Sequence, residues 1–503
     1  MKRFLVLFSV GFLGAVRMAH AADPAFDFDV LQFRAKALAA HPYQEPQRDV
    51  PGWLMKLNYD QYRDIRFDPK RAWWRDQKLP FELQFFHPGG LFNKPVQIHE
   101  VIDHKERLIE YSPRLFDYGH NKIGGRMPAD MGFAGFRIHC ALNTPEYFDE
   151  LAVFLGASYF RALGKDQRYG LSARGLALNT AEPEGEEFPV FESFWIERPA
   201  PDAKTITAYA LLNSPSVAGA YRFVFTPGAD TIAQVKAVLY FRHNPKTLGV
   251  APLTSMFAHG ETTGWSQTDF RPEVHDSDGL LMETGSGEWL WRPLTNPKQL
   301  RAVSFGTKNP KGFGLLQRDR DFKHYDDLEA YYHQRPSAWV EPIGDWGAGA
   351  VRLVEIPTAD ETSDNIVAFW VPAQLPAVGE PFSFEYKLHW LIDPAGRPPA
   401  GYVSSTRLAS VMGQKDLKRF VIEFDGRYLN GEPADPDIEA VVSVGASGAQ
   451  SGKALVEKNN FTGAWRVVFE VKPDGSGHPV ELRCFLRKGS HVLTETWSYL
   501  WNP

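Results

Sequence analysis

An all-β chain built from two sandwiches is the prediction, and three observations make it. Short alternating runs rich in Val, Phe and Tyr recur along most of the chain, bounded by Gly, Pro, Asn and Asp. The 503 residues exceed what one hydrophobic core usually organises. Residues 393–401 place three prolines and two glycines in nine positions, which no strand continues through. The expected layout is a large N-terminal antiparallel β-sandwich over 22–391, a linker over 392–401 and a small immunoglobulin-like β-sandwich over 402–503.

Within the larger part, strand runs fall at 81–86, 95–101, 206–211, 221–225, 234–241 and 382–390. The smaller part shows them at 420–424, 438–442, 464–471 and 479–486, a size and rhythm that suit an immunoglobulin-like domain. Two helices are expected. In the first, Phe28, Leu31, Phe33, Ala35, Leu38 and Ala39 recur at roughly helical spacing until His41-Pro42 stops the run. The second covers 326–332 and ends before Arg335-Pro336. There is no internal repeat and no long low-complexity segment.

The N-terminus reads as a secretory leader over 1–21. Lys2 and Arg3 form the basic start, residues 4–16 the apolar run, and Ala19-His20-Ala21 the small-x-small cleavage pattern. That run is too short to span a bilayer, and no later segment approaches eighteen apolar residues in a row, so a soluble exported protein without membrane insertion is expected. With 55 basic and 61 acidic residues the net charge is −6, which lacks the basic footprint that nucleic acid requires. Aromatics reach 14% with 14 tryptophans; such rings serve β cores first and sugar-stacking surfaces second. Cys140 and Cys484 fall in different parts of the chain and are read as two buried thiols rather than a bridge.

Several motifs are set aside. His99 and His104 flank an H-E-like string, but they stand five apart on a strand pattern, where two imidazoles cannot share a helix face around a metal. Residues 170–175 are one residue too long for a nucleophile elbow, and neither a P-loop nor a dinucleotide fingerprint is present. No cofactor and no metal is therefore expected. Two acidic loops remain: 272–279, which leads towards Gly287–Pro293, and 357–365, which runs straight into a strand. Glycosidic hydrolysis needs one carboxylic acid to protonate the leaving oxygen and a base to activate water, beside aromatic faces that hold sugar rings. Acidic loops are more often solvated turns, and Asp-Ser-Asp-Gly is good turn chemistry. A third cluster, 319–327, reads as a salt-bridged surface turn, and Tyr331-Tyr332 as core packing.

Longer strings carry a resemblance. Residues 132–137, 155–161, 169–177, 185–189, 248–257, 275–278, 287–294, 309–317, 335–339, 355–358 and 495–499, in that order, resemble the periplasmic glucan biosynthesis protein G/D family across essentially the whole mature chain. Residues 194–199, Trp291 and the absence of a twin-arginine leader are nearer the G type. The resemblance implies a galactose-mutarotase-like N-terminal sandwich with a cleft, periplasmic localisation, and action on the β-1,2-glucan of osmoregulated periplasmic glucans. It further implies an inverting endo-β-1,2-glucanase in which Asp364 matches the general acid, Asp276 the general base and Tyr332 a proton-relaying tyrosine. Asp278, Asp360 and Glu361 stay as turn or sugar-contacting groups. The inner-membrane glucosyltransferase of glucan synthesis is a candidate partner. Two other functions stand beside the hydrolase: an inverting transglycosylase that cyclises or branches the glucan, and a non-enzymatic glucan-binding scaffold.

The mature protein is expected to begin at Ala22 or within a residue or two of it. N-terminal sequencing of the exported protein checks this, and a start at Met1 would show that the leader is retained.

Overall fold

Alternation along the strands decides the layers. The computed structural model describes residues 25–46, 50–121, 127–263, 269–393, 397–432, 437–445 and 448–503. The expected leader, its cleavage site and residues 394–396 of the expected linker lie outside the described residues. Among the described residues, strands take 48% and helices 8%, so the fold is all-β.

Two large sheets face each other. One has ten strands and includes Phe81–Phe86, Gly135–Thr144, Tyr147–Leu155, Tyr159–Ala162, Leu248–Ser255 and Ile366–Pro372. The other has fifteen and includes Val190–Glu197, Ile206–Asn213, Val217–Thr226, Thr231–Phe241 and Pro381–Leu391. Their inner faces meet in one apolar core, where Phe154 packs against Phe194 at 5.3 Å and Phe223 at 5.1 Å between ring centres. Phe160 reaches across to Trp390 at 5.9 Å. Both faces of Thr231–Phe241 are used: Ala233, Val235, Ala237 and Leu239 enter this core, while Val238 and Tyr240 point the other way. The outward pair is covered by the helix Phe28–Ala39 through Leu31 and Ala35. Asp27 starts that helix by accepting a hydrogen bond from the Val30 N–H.

The C-terminal strands form a second sandwich. Tyr402–Val411, Gln414–Asp425, Gln450–Ser451, Leu455–Lys458 and Trp465–Lys472 make one sheet; Ile438–Val444, Val480–Lys488, His491–Val492 and Thr496–Trp501 make the opposite face. This opposite face does not stop at the sandwich. Thr496–Trp501 pairs in parallel with Trp289–Pro293, so it continues the fifteen-stranded sheet of the larger part. The second core is likewise shared: Phe420, Val467 and Trp497 pack with Leu281, Trp291, Leu316 and Trp339. A second parallel pairing joins Gln97–Ile102 to Val190–Glu197, so the large sheet is mixed rather than wholly antiparallel. Cys140 and Cys484 are both buried and unbridged, and burial pushes the Cys140 thiol up to about 12. Among the described residues, no helix is long and apolar enough to cross a membrane.

One expected element is displaced. The helix read over 326–332 is instead a four-residue helix, Phe322–Tyr325, followed by turns and a short 3-10 segment, Tyr332–Gln334. Asp326 adopts the left-handed conformation at φ 50, and the Asp327 side chain accepts from the Glu329 and Ala330 N–H groups. Aspartate carboxylates that satisfy local N–H groups compete with helix propagation, so the acidic pair ends the helix that the apolar pattern suggested.

Phe154 touches rings from both sheets, so Phe154→Ala is expected to cost about 3–5 kcal/mol through the cavity it leaves. The fully exposed Phe461 replaced by alanine should stay within about 0.5 kcal/mol of the parent. Denaturant unfolding of the two variants side by side measures the contrast.

Candidate active site

Three antiparallel strands, Gly135–Thr144, Tyr147–Leu155 and Tyr159–Ala162, form the floor of an open groove of about 710 Å3. Aromatic faces of Phe86, Phe92 and Tyr159 alternate there with charged side chains, while residues 362–364 close one rim. Flat rings beside hydrogen-bonding groups suit sugar rings, which present apolar faces and polar edges. Arg137 pairs with Glu150 at 3.0 Å, and the half-buried Tyr169 donates its hydroxyl proton to the same carboxylate. The Arg174 guanidinium lies 5.2 Å over the Tyr159 ring and pairs with Glu186.

Asp364 stands exposed at the rim, at the end of the loop 357–364. The next residue, Asn365, is 2% exposed and locks the loop's base. Its side-chain oxygen accepts from the Phe257 N–H at 2.8 Å, and its amide nitrogen donates to the Phe257 and Ile356 carbonyls at 3.0 Å each. Phe257 pairs with His275, and the Asp276 N–H donates to the Met256 carbonyl at 2.8 Å. One amide thus clips the loop that ends in Asp364 to the strand beside Asp276.

Asp276 is only 3% exposed, and one carboxylate oxygen accepts from Arg335 Nη1 at 2.5 Å. Burial pushes its pKa up, the Arg335 guanidinium holds it back, and the Asp364 charge pushes it up further, so the two aspartates lie within electrostatic reach. Arg161, which lines the groove, also lowers it. The Arg335 guanidinium sits 4.2 Å over the Tyr332 ring, and the Tyr332 hydroxyl donates to Glu361 Oε2 at 2.8 Å. Burial, and then the Glu361 hydrogen bond, push the Tyr332 phenol well above its ordinary value. Glu361 pairs in turn with Arg271 at 2.7 Å. The contacts Asp276–Arg335–Tyr332–Glu361 therefore run from the first acidic loop to the second. Tyr331, by contrast, turns at φ 50 and places its ring under Arg168.

Behind Asp276, the His275 ring stacks on Phe257 at 5.2 Å. Its Nε2 meets Glu273 at 2.7 Å and its Nδ1 meets the Gln317 side-chain oxygen at 2.9 Å. The Gln317 amide nitrogen already donates to the His275 and Tyr332 carbonyls, so both ring nitrogens face acceptors and the ring is held as a cation. Burial alone would lower its pKa; the Glu273 hydrogen bond and the charges of Asp278 and Glu273 overrule this and hold it at about 9. Asp278 accepts from the Arg318 and Asp319 N–H groups at 2.6 and 2.8 Å, which makes it a loop-holding group rather than one facing the groove.

The structure thus brings both acidic loops and Tyr332 to one region, with Asp364 at the open rim and Asp276 buried against Arg335. Sequence reasoning did not single out Arg335, Asn365, Gln317 or Arg161. In the sequence Arg335 stands out only before a helix-stopping proline and within the family-like string 335–339; its separation of 59 residues from Asp276 leaves no local signal. Among the described residues, the one group with metal-ligand spacing is Glu273, Asp319 and His324. Asp319 pairs there with His324, and Glu273 with His275, as in an ordinary ionic cluster.

The all-β double sandwich thus carries an aromatic-lined groove with one acidic loop, 357–364, at its rim. The chain belongs to the family described as periplasmic glucan biosynthesis protein, MdoG, whose pattern matches residues 26–501. It is 52% identical to glucans biosynthesis protein G of Ralstonia nicotianae, covering 98% of this chain and 99% of that one. It is 45% identical to glucans biosynthesis protein D 1 of the same organism, covering 97% and 94%. Glucans biosynthesis protein G of Pseudomonas aeruginosa is also 45% identical, over 97% and 95%. Family membership places the chain in periplasmic glucan biosynthesis.

The His275 cation predicts a pH limb. An imidazole whose folded pKa is about 9, against an ordinary 6.5, contributes stability that is complete below pH 6.5 and lost as pH rises through about 9. The loss is about 1.4 kcal/mol for each pH unit across that window. Urea midpoints at several pH values should show this limb in the parent and a flatter one in His275→Gln.

Proposed function

We propose that the protein is a periplasmic inverting endo-β-1,2-glucanase that shapes glucan during its biosynthesis. The observation that carries this reading is the chain of contacts Asp276–Arg335–Tyr332–Glu361, which joins a buried aspartate to the loop whose end, Asp364, lines a sugar-sized groove. Asp364, exposed at the rim, delivers its proton to the glycosidic oxygen as the bond to the anomeric carbon breaks. Water attacks that carbon from the opposite face, and its proton ends on Asp276. Burial supports the base role, because a carboxylate with a raised pKa accepts a proton more readily than one in water, and Arg335 keeps enough positive charge beside it to hold the ionised form.

Asp276 is covered by Arg335 and does not line the open groove, so the water's proton reaches it through a relay. Tyr332 stands beside Arg335, with its hydroxyl on Glu361. To relay, the phenol exchanges its bond to Glu361 for one to Asp276, giving its proton there as it takes one from the water, so that no phenolate stands. Arg161 stands within electrostatic reach of Asp276 on the groove side, where it orients whatever hydroxyl bridges the gap. Supporting the location are the family's periplasmic character and the secretory pattern at residues 1–21. The inner-membrane glucosyltransferase of glucan synthesis remains the proposed partner.

Asp364→Asn keeps the side chain's shape and removes its acidic proton. Turnover of linear β-1,2-glucan should fall on the order of 10²–10⁴-fold, with folding and glucan binding retained. Turnover within threefold of the parent would remove Asp364 from the mechanism. Loss of binding together with activity would favour a glucan-binding scaffold, and cyclic or branched products in the parent reaction would favour transglycosylation.

A further inference from the structure

The segment 272–279, which carries Asp276, is gripped from both sides by the C-terminal sandwich. On one side stands Arg318. Its backbone N–H holds the Asp278 carboxylate, while its guanidinium makes a two-pronged pair with Glu495 at 2.6 and 3.0 Å. The same guanidinium donates to the Val403 carbonyl at 2.9 Å and lies 3.6 Å over the Trp291 ring. Both members of this pair are buried, Glu495 completely, and Glu495 also accepts from the Val403 N–H at 2.7 Å.

On the other side stands Glu261, two residues beyond the strand Phe257–His259 that pairs with His275. Its carboxylate accepts from the Ser405 hydroxyl and the Thr406 N–H at 2.9 Å each, and pairs with Arg407 at 2.7 Å. Between these two grips lies a small cavity of about 40 Å3, with His275 and Asp278 on its wall.

The cohesion of this seam already comes from the shared apolar core, and a buried ion pair adds little net stability to it after desolvation. What a two-pronged arginine–carboxylate pair does supply is register and orientation. Both polar grips fall one contact away from the segment that carries Asp276.

We infer that the C-terminal sandwich is a positioning element for Asp276: Glu495 acting through Arg318, and Ser405 to Arg407 acting through Glu261, set the orientation of the segment 272–279. The inference rests on the reading of Asp276 as the base. Neither Glu495 nor Glu261 touches the groove, so both are positioning residues rather than catalytic ones. A base displaced by about 1 Å loses on the order of a hundredfold in rate without losing substrate.

The test uses the full mature chain with Glu495→Gln, Glu495→Asp and Glu261→Gln. Each is assayed for kcat and KM on linear β-1,2-glucan and for hydrogen exchange of peptides covering 272–279 and 231–241. Glu495→Gln and Glu261→Gln are expected to lower kcat roughly 10- to 100-fold with KM within threefold. Exchange should rise over 272–279 and stay unchanged over 231–241, and Glu495→Asp, which keeps the charge, should recover part of kcat. Unchanged kcat in the folded variants overturns the inference, as does exchange that rises equally in both regions. Should Glu495→Gln fail to fold, Glu261→Gln decides. A parent that does not hydrolyse the glucan would end the hydrolase reading alone; the exchange arm then still supports or overturns the coupling.

Discussion

A carboxylate removed from water at Asp276 is the constraint around which the site is arranged. An isolated buried charge is costly, so the fold has to bring a cation to it, and Arg335 arrives from 59 residues further along the chain. The guanidinium that pairs with Asp276 also covers the Tyr332 ring, and that ring's hydroxyl is committed to Glu361. Each member fixes the next, so two acidic loops that would otherwise be independent turns become one connected surface. Directly behind Asp276, the His275 ring is held at both nitrogens, by Glu273 and Gln317, so the residue before the aspartate is anchored on either side.

The frame that makes this possible is a sheet that passes from one sandwich into the next. Gly279 shows how close the fit is: a Cβ there would lie 2.3 Å from the Trp291 indole, so the strand that leaves the acidic segment can sit against that tryptophan only as glycine. Trp291 then packs in the second core, with Arg318 stacked on it. Residues of the larger part are therefore as much the core of the smaller one as its own strands are. The groove depends in the same way on shared layers, since its floor strands are held by phenylalanines that interdigitate with the opposite sheet.

The groove itself divides the work between its two walls. Aromatic faces and the Arg137–Glu150 pair supply shape and hydrogen-bonding groups along its length, and the loop 357–364 supplies an exposed carboxylate at its rim. Asn365 is the joint between the rim loop and the strand beside Asp276. Its three hydrogen bonds satisfy backbone groups of two segments, so losing it would leave buried polar atoms unpaired at a cost of about 1–3 kcal/mol each.

By itself the sequence determined the strand-rich fold, the first helix from Phe28 to Ala39, and the end of the strand at Leu391, because period-two alternation, helical spacing and proline are local signals. It also singled out Asp276, Asp364 and Tyr332, through strings that resemble a family rather than through any spacing that forces a chemistry. The tertiary structure alone decided what surrounds them. Arg335, Asn365 and Gln317 act across separations of 59, 108 and 42 residues, and no local pattern encodes such a pairing. The helix expected over 326–332 failed for a related reason: aspartate side chains took the backbone donors that the apolar pattern assigned to a helix. The linker read as separating two bodies gave no sign that Thr496–Trp501 would return to pair with Trp289–Pro293, because strand pairing is chosen by packing between distant segments and not by the residues at the break.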